Sequence, residues 1–151
     1  MLLLFAIVAC NNTEESKTVQ ADTVAGNTTV KPNSITLPGM MCFQYILQHD
    51  TVNLKLIIKD SAVYGNLFYN MYEKDDNRGR FKGLRKGDII KADYTYISEG
   101  TTSIREVIFR LKDNVLTEGF GEMEEKGKKL VFKDTSKVQY TKKYTSVDCK
   151  D

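Results

Sequence analysis

The side chains best suited to chemistry in this sequence are an arginine, two glutamates and a tyrosine: Arg105, Glu73, Glu122 and Tyr96. An arginine beside carboxylates can bind the negative group of a ligand, or the charges can simply neutralise one another. Because buried charges are normally paired, we expect the structural role first and ligand binding second. Paired carboxylates also cleave glycosidic bonds, so a glycan-directed hydrolase is the alternative function.

The sequence contains few other side chains that could act in catalysis. His49 is the only histidine and falls in a predicted turn, which excludes a histidine-based triad and a histidine-rich metal site. We therefore predict no catalytic residue, no metal site and no cofactor, and a protein that is not an enzyme.

Cys10 is a candidate for a different reaction. Residues 2–8 are apolar, a run too short to span a bilayer but about the length of the core of a secretory signal. Positions 7–10, IVAC, resemble the bacterial lipoprotein signal, in which the cysteine thiol accepts a lipid and becomes the new N-terminus. We expect residues 1–9 to be a signal peptide and Cys10 to carry lipid. No Lys or Arg precedes the apolar run, which predicts a natural start further upstream or a trimmed chain.

Residues 10–39 follow as a polar segment rich in Thr, Asn and Ser, without a sustained apolar face. This composition is typical of a disordered tether. A flexible coil of about 29 residues would hold its ends roughly 30 Å apart on average, enough to lift a small domain from the lipid headgroups. The folded domain is expected at residues 40–151.

The two remaining cysteines, Cys42 and Cys149, lie at the start and the end of that domain. Export would place them in an oxidising compartment, where such a pair usually forms a disulfide. They have neither a histidine partner nor a CxxC spacing, so zinc binding and redox catalysis are weaker alternatives.

Apolar and polar residues alternate along several segments of the domain, as in VNLKLIIK at positions 52–59. This period is typical of half-buried strands, and the Asp, Asn and Gly turns between the segments indicate hairpins. Four of these turns look alike and begin at Lys59, Lys86, Lys112 and Lys133. The pattern predicts an all-β fold: a single up-and-down antiparallel barrel of about eight strands, of lipocalin-like size, with a two-sheet sandwich as runner-up.

Residues that lie directly opposite each other in a hairpin point to the same side of the sheet, so the positions of the turns predict which residues face inward. We call this rule parity. We expect two-residue turns at His49-Asp50, Asp60-Ser61 and Asp113-Asn114, and a turn around positions 99–102 that sets Tyr96 opposite Arg105. Inward parity then brings Glu73, Tyr96, Arg105 and Glu122 together at the end of the barrel that carries the longer loops, with Glu118 one step deeper. This end is the predicted binding site.

The formal net charge is only +2 and basic residues are interleaved with acids, so nucleic acid is not an expected partner. The segments YNMYEKDDNRG, ADYTYISEGTTSIREVIF and GFGEMEEK, with the lipid signal, resemble small uncharacterised lipoproteins of Bacteroidetes-type bacteria. The resemblance implies a cell-envelope lipoprotein, expected at the outer membrane on its periplasmic or surface face. Its partners are expected to be the membrane, through lipid on Cys10, and a small ligand or envelope protein. The predicted function is a non-catalytic binding or structural module; inhibition of an envelope hydrolase is a further alternative.

Overall fold

The computed structural model describes residues 39–150, which form strands and one short 3-10 helix. The strands are β1 (Met40–Leu47), β2 (Asp50–Lys59), β3 (Ala62–Asn70), β4 (Asn77–Lys86), β5 (Ile89–Ser98), β6 (Thr101–Lys112), β7 (Val115–Phe120), β8 (Met123–Lys126), β9 (Lys129–Phe132) and β10 (Gln139–Val147). The 3-10 helix, Thr135–Lys137, precedes β10. Within this part of the chain, no helix is long and apolar enough to cross a membrane.

Strands β1 to β7 form an antiparallel meander, and β10 closes it by pairing with β7 on one side and β1 on the other. The result is a closed eight-stranded antiparallel barrel with two extra strands. The predicted fold class is confirmed. Closure satisfies backbone groups that an open sheet would leave at its edges.

The two extra strands form a hairpin beside the barrel. β8 pairs with β9, and β9 runs parallel to the first half of β6, where Ile104 is opposite Lys129. The turn predicted at Lys133 is therefore not a hairpin turn. It leads into the 3-10 helix, whose start is capped by the Asp134 side chain accepting from the Ser136 N–H at 2.9 Å.

Two of the predicted hairpin registers are confirmed. Ile58 lies opposite Val63 and Leu111 lies opposite Leu116, as the turns at Asp60-Ser61 and Asp113-Asn114 require. The first hairpin turns at Gln48-His49 instead of His49-Asp50, so Tyr45 lies opposite Val52. Because this changes the pairing by two positions, each residue still faces the predicted side.

The barrel interior is filled with side chains. Its largest fully buried members include Tyr94, Tyr144, Phe43 and Phe109. Gly65 allows close packing on the inner wall, since an added Cβ would collide with the Lys55 carbonyl oxygen and the Phe81 ring.

Cys42 and Cys149 lie at disulfide-bonding distance, with Cα atoms 5.2 Å apart, as the sequence predicts. The pair connects β1 to the segment after β10. The described chain begins nearby, where the Gly39 carbonyl accepts from the Ile58 N–H. The predicted signal peptide and Cys10 lie outside the described residues, as does the predicted tether up to residue 38.

Candidate functional site

Arg105 lies on the inner wall of β6, surrounded by aromatic rings. Its guanidinium carbon is 5.0 Å from the ring centroid of Tyr69, 5.6 Å from that of Tyr94 and 5.7 Å from that of Tyr96. Tyr94 and Tyr96 stack on each other with centroids 4.9 Å apart. The predicted inward direction of Arg105 is correct, and tyrosine faces attract its positive charge.

The carboxylate of this cluster is Glu118, on β7, which is only 3% exposed. It accepts hydrogen bonds from the Tyr69 hydroxyl at 2.6 Å and from the Tyr144 hydroxyl at 2.8 Å. Lys142 forms an ion pair with it at 3.3 Å. Two hydroxyl donors and one ammonium group thus satisfy a carboxylate that burial would otherwise penalise heavily. We call Tyr69, Tyr94, Tyr96, Arg105, Glu118, Lys142 and Tyr144 the polar cluster.

The structure brings together only part of the predicted site. Tyr96 joins the cluster, but it lies opposite Ser103, while Tyr94 takes the place opposite Arg105. The turn before β6 is formed by Glu99 and Gly100, which shifts the predicted pairing by two positions.

The two predicted glutamates lie elsewhere. Glu73 is exposed in the loop between β3 and β4. Glu122 follows the end of β7, has an 84% exposed side chain and forms an ion pair with Lys133 at 3.4 Å. Inward parity does not extend to Glu122 because β7 ends at Phe120 and Glu122 lies in the connection to β8.

Three tyrosines of the cluster, Tyr69, Tyr94 and Tyr144, remain protonated well above neutral pH. Burial, then repulsion from Glu118, raises the pKa of Tyr69 and of Tyr144. Burial also raises the pKa of Tyr94, although Arg105 acts in the opposite direction. The Tyr94 hydroxyl donates within reach of two carbonyl oxygens, Leu67 at 2.9 Å and Asn77 at 3.0 Å. These hydroxyls act as hydrogen-bond donors and are poor general bases at neutral pH.

The cluster carries one more positive than negative charge, because Arg105 and Lys142 face one carboxylate, Glu118. The Nε atom of Arg105 is buried and has no hydrogen-bond partner among the described residues. A slot of about 50 Å³ reaches Arg105 and Glu118 between β6, β7 and the β8–β9 hairpin. This volume is enough for a few water molecules.

A second ionic group holds the β8–β9 hairpin against the outside of β6. Glu106 accepts from the Phe132 N–H at 3.2 Å and forms ion pairs with Lys91 at 3.1 Å and Lys129 at 3.4 Å. Lys129 also pairs with Asp93. The carboxylate of Glu106 therefore has a structural explanation in the attachment of the hairpin.

Sequence reasoning missed most of the cluster's other members. The predicted site includes Glu118 as a deeper neighbour but does not include Tyr69, Tyr94, Lys142 or Tyr144. The available signal is the two-residue spacing of Lys142 and Tyr144 in β10, which places Lys142 on the inward side with Tyr144. Tyr140 does not share this side, because a β-bulge separates it from Lys142 and its ring packs with Ile108 and Val138.

No family model, curated protein or solved structure matches this chain. Among residues 39–150, no group of three or more His, Cys, Asp and Glu side chains is arranged to hold a metal ion. The candidate site is therefore defined by its own geometry.

Proposed function

We propose that this protein is a lipid-anchored protein of the bacterial cell envelope whose barrel acts as a non-catalytic binding or structural module. Support for the anchor comes from the apolar run, the cysteine at position 10 and the polar segment after it. The cysteine pair at disulfide distance is consistent with export to an oxidising compartment.

The observation that carries the proposed role of the barrel is its filled interior. Buried tyrosine, phenylalanine and aliphatic side chains occupy the space in which a hollow barrel would hold a ligand. A barrel with a filled interior has no room for a ligand inside, so it would contact other molecules through its outer surface and its loops.

The polar cluster supports a structural role more strongly than a hydrolytic one. Its carboxylate, Glu118, is held by two tyrosine hydroxyls and Lys142 instead of facing an open cleft. Glycoside hydrolysis needs two carboxyl groups free to act on a bound sugar. Glu73 and Glu122, the glutamates expected at the site, are exposed and stand apart from the cluster.

The anchor is tested by expressing the Cys10→Ser variant and separating membrane from soluble fractions after export. We expect the wild-type protein in the membrane fraction and the variant in the soluble fraction. Asn12→Ser is the control, because it introduces the same side chain two residues away without removing a thiol and should leave membrane attachment unchanged. Retention of the Cys10→Ser protein in the membrane would contradict lipid anchoring.

The non-catalytic role is tested by incubating the purified protein with envelope polysaccharide and measuring newly formed reducing ends. We expect none above the buffer control. Release by the wild-type protein that Glu118→Gln abolishes would support the hydrolase alternative instead.

A further inference from the structure

Two grooves on the outer wall of the barrel form one continuous surface. The first, of about 760 Å³, runs over β1, β2 and β3 beside the segment that follows β10. The second, of about 470 Å³, runs over β2 to β5. Both are lined by Lys55 and Asn66, which are cross-strand neighbours, so the two grooves meet at this pair. We call this surface the outer groove.

The outer groove has cations without carboxylate partners. Lys55, Arg80 and Lys82 line it, and none of them forms an ion pair within the part of the chain that the structure describes. The lining also holds a fourth cation, Lys150, and two carboxylates: Asp148, and Asp93, which is paired with Lys129 of the β8–β9 hairpin. The groove is therefore complementary to negative charge.

The same surface also carries groups that recognise hydroxyls and flat apolar faces. Gln44, Asn53 and Asn66 offer amides, each with donors and an acceptor, and Gln44 donates to Asn53 at 2.9 Å. Two aromatic rings lie beside them: Tyr64, which is 44% exposed, and Phe68, over whose ring the Arg78 guanidinium carbon lies 4.1 Å from the centroid. A ligand that is bound through its charge alone would not need these amides and rings.

The register arranges these side chains in rows across the barrel. One row runs Cys42, Lys55, Asn66, Arg80 and Thr95, from β1 to β5. With strands about 4.8 Å apart, this row is about 19 Å long when measured along the curved wall of the barrel. An elongated surface of this kind fits an extended chain better than a compact small molecule.

We propose that the outer groove binds an acidic polysaccharide chain. The cations bind its carboxylate or sulfate groups, the amides bind its hydroxyls and the exposed Tyr64 ring packs against a sugar face. The end of the groove is set by residues 146–150, which Cys149 fastens to Cys42 on β1. The pair of cysteines thus fixes one wall of the binding surface. The inference goes beyond the proposed anchor and does not depend on lipid at Cys10.

The test is titration calorimetry of the protein with oligomers of polygalacturonate, with dextran sulfate and with neutral dextran. Binding is expected to the first two probes and not to neutral dextran. The double variant Lys55→Gln/Arg80→Gln should bind polygalacturonate at least roughly tenfold more weakly. A single hydrogen bond to a charged group already contributes about a factor of ten to affinity. The matched control Lys137→Gln/Lys143→Gln removes two exposed charges outside the groove and should bind as the wild type does.

The Asn66→Ala variant distinguishes between a polysaccharide and a membrane surface as the ligand of the groove. This charge-neutral change should weaken binding to polygalacturonate and leave any binding to vesicles of phosphatidylcholine and phosphatidylglycerol unchanged. Binding to neither polyanion, an equal loss in the Lys137→Gln/Lys143→Gln control, or full polygalacturonate binding by Asn66→Ala would overturn the proposal. Strong vesicle binding that Lys55→Gln/Arg80→Gln abolishes, without polygalacturonate binding, would assign the groove to the membrane surface.

Discussion

Replacing Glu118 with alanine is expected to destabilise the barrel by about 3–5 kcal/mol, the usual cost of removing one partner from a buried charged group. The substitution would leave the Tyr69 and Tyr144 hydroxyls without the acceptor that now lies at 2.6 and 2.8 Å. It would also leave Lys142, whose side chain is only 16% exposed, without its ion-pair partner. Arg105 would then be one of two cations in the cluster with no carboxylate.

Glu118→Gln should cost less, because an amide oxygen still accepts one of the two tyrosine hydrogen bonds. Glu122→Ala is the control: that side chain is 84% exposed and should change the free energy of unfolding by less than about 0.5 kcal/mol. The assay is denaturant unfolding of each purified variant, followed by tyrosine fluorescence. A loss below about 1 kcal/mol for Glu118→Ala would refute the view that the cluster holds the barrel together.

Two further predictions concern the tyrosines and the cysteine pair. The raised pKa values of Tyr69, Tyr94 and Tyr144 mean that the unfolded chain loses these protons first as pH rises. The contribution of these tyrosines to the free energy of unfolding should therefore be fully present below about pH 10. Above that pH it should fall by up to about 1.4 kcal/mol per pH unit for each tyrosine. An unfolding free energy that stays constant up to about pH 11 would contradict this. Cys149→Ser should cost about 2–5 kcal/mol, since the cross-link spans 107 residues. Non-reducing peptide mapping checks the pair, and two free thiols in the exported protein would contradict it.

The fold could be predicted because the alternation of apolar and polar side chains and the positions of the turn residues indicate the same strands. Asp60, Asp113 and Asn114 all have positive φ, the conformation that short polar turn residues adopt most readily, and both hairpins built on them have the predicted register. In the first hairpin the positive φ falls on Gln48, a residue without this preference, and the predicted turn is displaced.

The site could be predicted only in part, because parity holds within a strand and not beyond its end. Arg105 and Tyr96 lie inside strands and point inward as expected. Glu122 lies after β7, where local backbone geometry decides direction. The parallel pairing of β9 with β6 brings together segments that no short turn connects, so the sequence period gives no signal for it.

We propose that lipid on Cys10 holds this barrel at a membrane. Mass spectrometry of the protein extracted from the membrane fraction tests it most directly, by reading the mature N-terminal peptide. We expect this peptide to begin at Cys10 and to carry the added mass of acyl chains. A mature protein with an unmodified Cys10 thiol would contradict it.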